Sequence, residues 1–168
     1  MWSDEFNGDS LNRADWNVEI HEKGWVNNEL QEYVDSAENI QVKDVKLIIN
    51  PVKKVTDGDT GSTKEAASYT SGRVSTQNKQ TFIYGRFECR AKVPKGQGYL
   101  PAFWLMANDE NVYGQWPRCG EIDCMEVMGQ ETNKTYGTIH YGNPHSQSQG
   151  TYTITDGADF SDDFHIFT

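Results

Sequence analysis

An alternation of apolar and polar side chains over eleven residues restricts the fold of this chain more than any other feature of its sequence. Between residues 83 and 93 every second position is apolar or small, and the positions between them hold Tyr, Arg, Glu and Lys. A side-chain period of two is that of a β-strand with one face on a core and one in water. The pattern predicts a long, half-buried strand.

Shorter runs of the same kind recur along the chain, at residues 30–34, 45–49, 69–75, 135–141 and 151–155, and turn-forming Gly, Pro, Asn and Asp separate them. The composition includes 15 Gly, 8 Tyr, 7 Phe and 5 Trp, which also favours strands over helices. Residues 56–67 are polar and predict a surface loop, and helical turns are expected only within residues 62–67 and 109–113. Many short strands joined by such turns predict an all-β sandwich or barrel.

The length of 168 residues suits a single domain over residues 1–168, with enough chain to bury a real core. The sequence ends in a strand-like run at residues 164–168. All-β sandwiches routinely run to about 200–250 residues as one domain. We therefore expect the fold to be incomplete at the C-terminus.

The charge of the chain narrows the choice of partners. A net charge of −10 and a pI near 4.8 argue against nucleic acid or an anionic membrane as a partner. No stretch approaches the ~20 apolar residues of a membrane-spanning helix.

Three cysteines, Cys89, Cys119 and Cys124, allow at most one disulfide and leave the redox compartment open. No leader follows Met1, although an exported enzyme would look the same after cleavage.

Three carboxylates lie in one apolar segment, residues 116–128, which predicts an interior strand. Burying a carboxylate without a partner or a task is costly. In a regular strand Glu121 and Asp123 share a face, while Glu126 has the opposite parity and points into the core. One extra residue, a β-bulge, would restore the parity and direct all three carboxylates to one cleft.

Two glutamates with an aspartate between them are what retaining glycoside hydrolysis requires. The two working carboxyls lie roughly 5–5.5 Å apart, one attacking the sugar and one protonating the leaving oxygen. Their pKa values must differ, and a third carboxyl can tune that difference. Parity alone does not decide which glutamate attacks. An acidic strand without a catalytic task remains the alternative interpretation.

The segment Glu121-Ile122-Asp123-Cys124-Met125-Glu126 resembles the signature of glycoside hydrolase family 16, in the bulged form of laminarinases. The resemblance extends in order through residues 2–8, 27–33, 69–73, 84–88, 101–105 and 138–141. It implies a concanavalin A-like jelly-roll β-sandwich of two antiparallel sheets with a cleft on the concave face. It also implies that Glu121 is the nucleophile, Asp123 its helper and Glu126 the acid/base.

The same resemblance implies a set of substrate-binding residues and a possible metal site. The sugar-binding residues would be Asn28 (or its neighbour Asn27), Arg73, Trp104, Trp116 and His140. Leu100 stands where laminarinases commonly have tryptophan, so it cannot offer an indole to a sugar. No cofactor is required for the reaction, but a structural calcium could be held by Glu5 and Gly8.

The activity implied is retaining endo-hydrolysis of β-1,3-glucosidic linkages in laminarin-like or mixed-linkage β-glucans, by a secreted enzyme. Two alternatives stay open. One is a galactanase of the same fold, acting on agar or carrageenan. The other is a β-glucan-binding or inactive fragment. A complementary chain or a swapped partner could supply the strands that the sequence is expected to lack.

Overall fold

The computed structural model describes residues 1–54 and 68–168, so the predicted loop at 56–67 and its helical turn lie outside the described residues. The described part is almost entirely β, which confirms the predicted all-β class. Its elements are β1 (Asn17–Val18), β2 (Gln31–Tyr33), β3 (Ile40–Val42), β4 (Leu47–Ile49), β5 (Val52–Lys54), β6 (Ser68–Ser71), β7 (Val74–Ser75), β8 (Cys89–Ala91), β9 (Ala102–Met106), α1 (Glu110–Tyr113), β10 (Glu121–Val127), β11 (Lys134–Tyr141), β12 (Ser146–Thr153) and β13 (His165–Phe167).

The chain divides into two compact units, Met1–Thr81 and Phe82–Thr168. The single domain predicted over residues 1–168 stays a prediction. In the first unit β1 pairs with β7, β3 with β4, and β6 lies between β2 and β5. The β2–β6 pair is parallel, whereas the other pairs of this unit are antiparallel as expected.

A small apolar core holds the first unit together. Its buried members are Leu11, Ile40 and Val42, against which Phe6, Trp16, Val18, Leu47 and Val74 pack. The predicted strand at residues 69–75 is divided into β6 and β7 by Gly72 and Arg73. A Cβ at Gly72 would lie 2.5 Å from Ile40 Cγ1, so any larger residue here would have to displace the core.

The second unit contains a four-stranded antiparallel sheet in the order β12-β11-β10-β9, and the separate pair β13-β8. Its core lies behind β10 and consists of Val93, Met125, Val127, Phe160 and Phe167. Val127 is fully buried and Met125 is 3% exposed. Strand β10 is therefore fixed by neighbouring strands on both edges and by the core on one face.

The prediction of a long strand at residues 83–93 is wrong for the first half of that range. Only Cys89–Ala91 forms a strand, paired with β13, and Ile83 is 96% exposed. Beyond Cys89 the predicted faces hold, since Val93 is buried while Arg90 and Lys92 are exposed. Alternation predicts which face a side chain would take, but a strand also needs a backbone partner, which the sequence pattern does not show.

Other local predictions were met in part. The helical turn expected at 109–113 is α1, which Asp109 caps through its carboxylate and the Asn111 N–H. Strand β9 was not predicted because its sequence, Ala-Phe-Trp-Leu-Met, is apolar without alternation. All three cysteines are free thiols. Among the described residues there is no helix of the length and apolar character needed to cross a membrane.

Candidate active site

Strand β10 contains the predicted bulge. Opposite β11, Asp123 pairs with Thr138 and Glu126 with Tyr136, so three steps along β10 face two steps along its neighbour. Opposite β9, the same shift occurs between Asp123 and Met125. One residue is therefore extra in β10, which confirms the bulge inferred from parity.

The bulge brings the three carboxylates to one face of the sheet. Residues that pair directly across strands share a face. This face therefore carries Glu121, Asp123 and Glu126 from β10, Tyr136, Thr138 and His140 from β11, and Ala102, Trp104 and Met106 from β9. Met125 and Val127 point to the core instead. Predicted site residues Trp104 and His140 thus lie directly opposite Asp123 and Glu121.

Glu121 accepts a hydrogen bond from Trp116, and a second from Asp123 when that carboxyl group is protonated. The indole Nε1 of Trp116 donates to Glu121 Oε2 at 2.5 Å, and the Asp123 side chain is hydrogen-bonded to the same carboxyl group. Trp116 is itself held by its main-chain N–H, which donates to Glu110 Oε2 at 2.8 Å. The ring remains 45% exposed, so it can meet a ligand while holding Glu121.

Asp123 is buried among charges of its own sign. Burial, followed by the charges of Glu121 and Glu126, raises the pKa of Asp123 to about 6, although His140 opposes the rise. Below that pH the carboxyl group holds a proton that it can donate to Glu121. Asp123 therefore has the properties expected of a group that positions and tunes its neighbour.

Glu126 lies on the same face beyond the bulge. Burial and then the charge of Glu121 raise the pKa of Glu126 above its ordinary value, and His140 again works in the opposite direction. A raised pKa favours the protonated form, which a general acid must have at rest. The raised pKa of Glu126 is thus consistent with the acid/base role that the sequence predicts for it, and that role stays a prediction.

His140 links the carboxylates to a second histidine that the sequence analysis missed. His140 Nε2 lies 3.2 Å from Asp123 Oδ2, and His140 Nδ1 lies 2.9 Å from His145 Nε2. The two rings are stacked, with centroids 5.2 Å apart and an interplanar angle of 18°. The turn-forming Gly142-Asn143-Pro144 that separates the two histidines was the available signal, because a tight turn returns the chain to its start.

Arg73 and Asn28 belong to the first unit. Arg73 Nε donates to Glu19 Oε2 at 2.6 Å, and its guanidinium lies 5.0 Å above the centre of the Trp25 ring. Trp25 is stacked on His21 at 3.5 Å and is 48% exposed. Asn28 is exposed in the loop that carries Trp25, with a left-handed φ of 52°. An exposed tryptophan beside a predicted sugar-binding Asn was a signal that the sequence analysis did not use.

Glu19 anchors the group around Arg73. Burial works to raise the pKa of Glu19, but the charge of Arg73 and hydrogen bonds from Ser75, Arg73 and His21 outweigh it and hold the pKa below its usual range. The Arg73–Glu19 pair is only about one-fifth exposed on each side. Arg73 is therefore held rigidly, with one face of its guanidinium against an exposed indole.

The predicted calcium ligands offer little to a cation on their own. Glu5 and Gly8 are both exposed, and the described residues gather no cluster of three acidic, His or Cys side chains that could hold a metal. Calcium takes six to eight oxygen ligands. A calcium site at Glu5 and Gly8 therefore stays a prediction, and nothing in the chemistry of the carboxylates depends on it.

An all-β unit that presents a bulged strand with three carboxylates and neighbouring tryptophans has the elements of a glycoside hydrolase site. The chain belongs to the glycosyl hydrolases family 16, whose model matches residues 32–168. It is 43% identical over 99% of its length to a glucan endo-1,3-beta-glucosidase of Cryptopygus antarcticus, and 39% identical over its whole length to glucan endo-1,3-beta-glucosidase A1 of Niallia circulans. These matches span 60% and 26% of the two relatives, respectively.

The fold is shared with a solved laminarinase. The catalytic domain of an endo-1,3-beta-glucanase (laminarinase) from Thermotoga petrophila RKU-1 superposes with a TM-score of 0.81 and 37% identity, covering 99% of this chain and 67% of that one. The predicted jelly-roll β-sandwich class is thereby confirmed. The roles of the individual site residues stay predictions.

Proposed function

We propose that this chain catalyses retaining endo-hydrolysis of β-1,3-glucosidic linkages in laminarin-like or mixed-linkage β-glucans. The observation that carries the proposal is the bulge in β10, which places Glu121, Asp123 and Glu126 on one face. Raised pKa values at Asp123 and Glu126, each due first to burial, favour a protonated helper and the protonated general acid that the reaction needs.

In the first step Glu121 is the nucleophile. One carboxylate oxygen of Glu121 attacks the anomeric carbon while Glu126 gives its proton to the departing glycosidic oxygen. A covalent glycosyl-enzyme forms and the rest of the glucan leaves as an alcohol. The hydrogen bond from Trp116 supports this assignment, as does the one that protonated Asp123 donates, because both would hold the Glu121 carboxylate in one orientation.

In the second step the roles of Glu126 are reversed. Now ionised, Glu126 takes a proton from a water molecule, and the resulting hydroxide attacks the anomeric carbon. The bond to Glu121 breaks, and its electron pair returns to the carboxylate. Two inversions give net retention of the β configuration. Asp123, with a pKa of about 6, can strengthen or weaken its hydrogen bond to Glu121 as the charge of Glu121 changes.

Aromatic and polar side chains on the same elements would hold the sugar rings. Trp104 lies across from Asp123 on β9, and Trp116 presents an exposed indole beside Glu121. Indoles pack against the apolar faces of sugars, and His140 would add a directional hydrogen bond. In the first unit Arg73 and Asn28 are proposed as further sugar-binding residues, together with the exposed ring of Trp25.

The choice of a neutral β-1,3-glucan rests on charge and on the relatives. A net charge of −10 would repel a strongly sulfated galactan such as carrageenan. The relatives named as glucan endo-1,3-beta-glucosidases support the β-1,3 linkage. Because a glucan polymer does not cross a membrane, we also propose that the protein acts outside the cell.

Two further proposals concern the stability of the chain. A structural calcium held by Glu5 and Gly8 would raise the melting temperature with added calcium and lower it with EDTA. An identical melting curve in both would contradict that site.

A complementary chain or swapped partner would appear as a mass above 19.1 kDa in solution, whereas a monomer would count against it.

The function is tested by incubating the chain with laminarin and following the product anomers by proton NMR. We expect β-anomers first, and loss of turnover in Glu121→Gln and Glu126→Gln. Ser146→Ala, at an exposed position of β12, serves as the matched control and should retain activity. Equal rates for Glu121→Gln and the parent chain would refute the nucleophile. Binding to laminarin without cleavage would instead favour the β-glucan-binding alternative, and cleavage of agar or carrageenan alone would favour a galactanase.

A further inference from the structure

His145 lies at the outer end of a row of polar groups that leads into the active site. It is an exposed residue between β11 and β12, and its Nε2 lies 2.9 Å from Nδ1 of His140. His140 Nε2 is in turn 3.2 Å from Asp123 Oδ2, and Asp123, when protonated, is hydrogen-bonded to Glu121. The row therefore connects a solvent-facing imidazole to the proposed nucleophile through two intermediates.

We propose that His145 is a positioning residue whose Nε2–H donates to His140 Nδ1 and thereby fixes His140 in the tautomer that directs Nε2–H at Asp123. Its kinetic consequence rests on the proposed function, but the tautomer itself does not. His145 would touch no reacting atom and would act only through His140.

The assignment follows from the inventory of donors and acceptors. Neutral imidazole has one N–H donor and one acceptor nitrogen. An ionised Asp123 can only accept, so the contact of 3.2 Å is a hydrogen bond only in the tautomer whose Nε2 carries the proton. His140 Nδ1 is then a lone-pair acceptor, and the hydrogen bond at 2.9 Å requires His145 Nε2 to be the donor. No other arrangement of two neutral imidazoles satisfies both contacts while Asp123 is ionised.

The tautomer of His140 affects the carboxyl groups of the site because three of them face its ring. The carboxyls that face it are Glu121, which is its partner in register, together with Asp123 and Glu126, whose pKa values it lowers. On β12 its partner is the neutral Gln147. His145 is thus the titratable group on the opposite side of the ring from the three carboxyls. A donor at that position favours an N–H directed toward the carboxyls.

His145 also touches the other residue that holds Glu121. Its ring centroid is 5.1 Å from that of Trp116, with an interplanar angle of 38°. A substitution at His145 could therefore act through lost ring contact instead of a lost hydrogen bond. His145→Phe keeps an aromatic ring but has no donor, whereas His145→Gln keeps an N–H donor without the ring. The two variants separate the two causes.

The direct test is the tautomer of His140, read from ring ¹⁵N shifts in long-range ¹⁵N–¹H NMR spectra above neutral pH. The chain has 4 His, so each signal can be assigned by its own replacement. We expect protonated Nε2 and unprotonated Nδ1 for His140 in the parent chain and in His145→Gln, and a mixture in His145→Phe. A parent His140 with protonated Nδ1 would overturn the proposal without any variant. So would a His145→Phe spectrum identical to that of the parent.

The kinetic test uses the same variants on laminarin. His145→Phe should lower kcat roughly 3- to 10-fold, as expected for one lost hydrogen bond between uncharged groups, with a smaller change in KM. It should also move the inflection due to Asp123 to higher pH, because a lone pair on His140 Nε2 would favour protonated Asp123. His145→Gln should restore both values, and Ser146→Ala should leave them unchanged. Equal loss in His145→Phe and His145→Gln would assign the effect to ring contact and refute the positioning role.

The two proposals fail in different ways. A parent chain that cleaves no glucan but shows the Nε2–H tautomer of His140, lost in His145→Phe, would refute the proposed function and support the role of His145. A parent chain that cleaves laminarin with His140 in the other tautomer would do the reverse.

Discussion

The indole Nε1 of Trp116 donates a hydrogen bond of 2.5 Å to Oε2 of Glu121, five residues further along the chain. The contact joins an indole that is 45% exposed to the proposed nucleophile. It gives Trp116 a second task beside sugar stacking, and that task can be removed separately.

Trp116→Phe tests that contact. The phenyl ring keeps an aromatic face but has no N–H, so Glu121 loses one donor. A hydrogen bond to a charged group contributes roughly 1.5–3 kcal/mol, so kcat/KM on laminarin should fall about 10- to 100-fold. Tyr152→Phe, on the exposed strand β12, is the control and should show the parent rate. An unchanged kcat/KM in Trp116→Phe would show that the indole N–H does not support the reaction.

Asp123→Asn should stabilise the chain at alkaline pH while it lowers activity. The pKa of Asp123 is raised from 3.8 to about 6, so the folded state binds this proton more tightly than the unfolded state does. Stability is then highest below about pH 4 and declines as the pH rises through about 6. Asparagine removes that decline.

Melting temperatures measured from pH 3 to pH 8 check this. Asp123→Asn should melt above the parent chain at pH 8, and the difference should vanish near pH 3. Asp163→Asn, at an exposed carboxyl group, should show no such trend. A parallel pair of melting profiles for Asp123→Asn and the parent would mean that Asp123 ionises without cost.

Deletion of Cys124 should leave the three carboxylates on one face of the sheet. Without the extra residue β10 alternates regularly, so Glu121, Asp123 and Glu126 lie at every second position while Met125 and Val127 stay on the core side. We therefore expect the deletion variant to retain turnover at a reduced rate, because the spacing of Glu126 changes, and Cys124→Ala to retain most activity. Laminarin hydrolysis and thermal melting of both variants distinguish a role of strand length from a role of the thiol. Loss of all turnover in a folded deletion variant would show that the shared face alone does not make a working site.

The hydrogen bonds of Asp159 indicate how the stability of the second unit should change at acid pH. Its carboxylate accepts from Lys95 Nζ at 2.6 Å, from Thr132 Oγ1 at 3.0 Å, and from the main-chain N–H and hydroxyl of Ser161. These bonds, led by that of Lys95, hold the pKa of Asp159 far below its usual range. The stability they contribute is present above about pH 4 and is lost as the pH falls below it.

Asp159→Asn should therefore melt below the parent chain at pH 7, with the gap closing as the pH falls below about 4. Asp163→Asn is again a suitable control. A gap that stays constant down to pH 2 would indicate that packing, and not the ionised carboxylate, explains the effect.

The central strand could be predicted from sequence because its constraint is local. Parity and the cost of a buried carboxylate together required a bulge between Asp123 and Glu126, and the register shows it. Parity leaves the roles of the two glutamates open, and the roles proposed for them rest on the burial of Glu126 and on the contact of Trp116 with Glu121.

Residues brought together by loops or by distant strands were beyond the sequence pattern. His145 contacts the ring of His140 on the other side of a turn, and the stacking of Trp25 on His21 joins two loop positions. The prediction of a strand at residues 83–88 was wrong for a related reason, because a strand needs a hydrogen-bonded partner that can lie far away in the sequence. Side-chain periodicity records the environment of a residue and not the identity of its neighbours.

The burial pattern of β10 also has a consequence for mobility. Glu126 lies between Met125 and Val127, which are 3% and 0% exposed, while Glu121 lies at the beginning of the strand between Gly120 and Ile122, and Ile122 is 48% exposed. The main chain at Glu126 can open only when the core opens, whereas the main chain at Glu121 can fray independently. Amide hydrogen exchange should therefore be slow at Glu126 and faster at Glu121. The proton donor would be fixed by the core, and the nucleophile would be kept in place largely by the side chains that hold it.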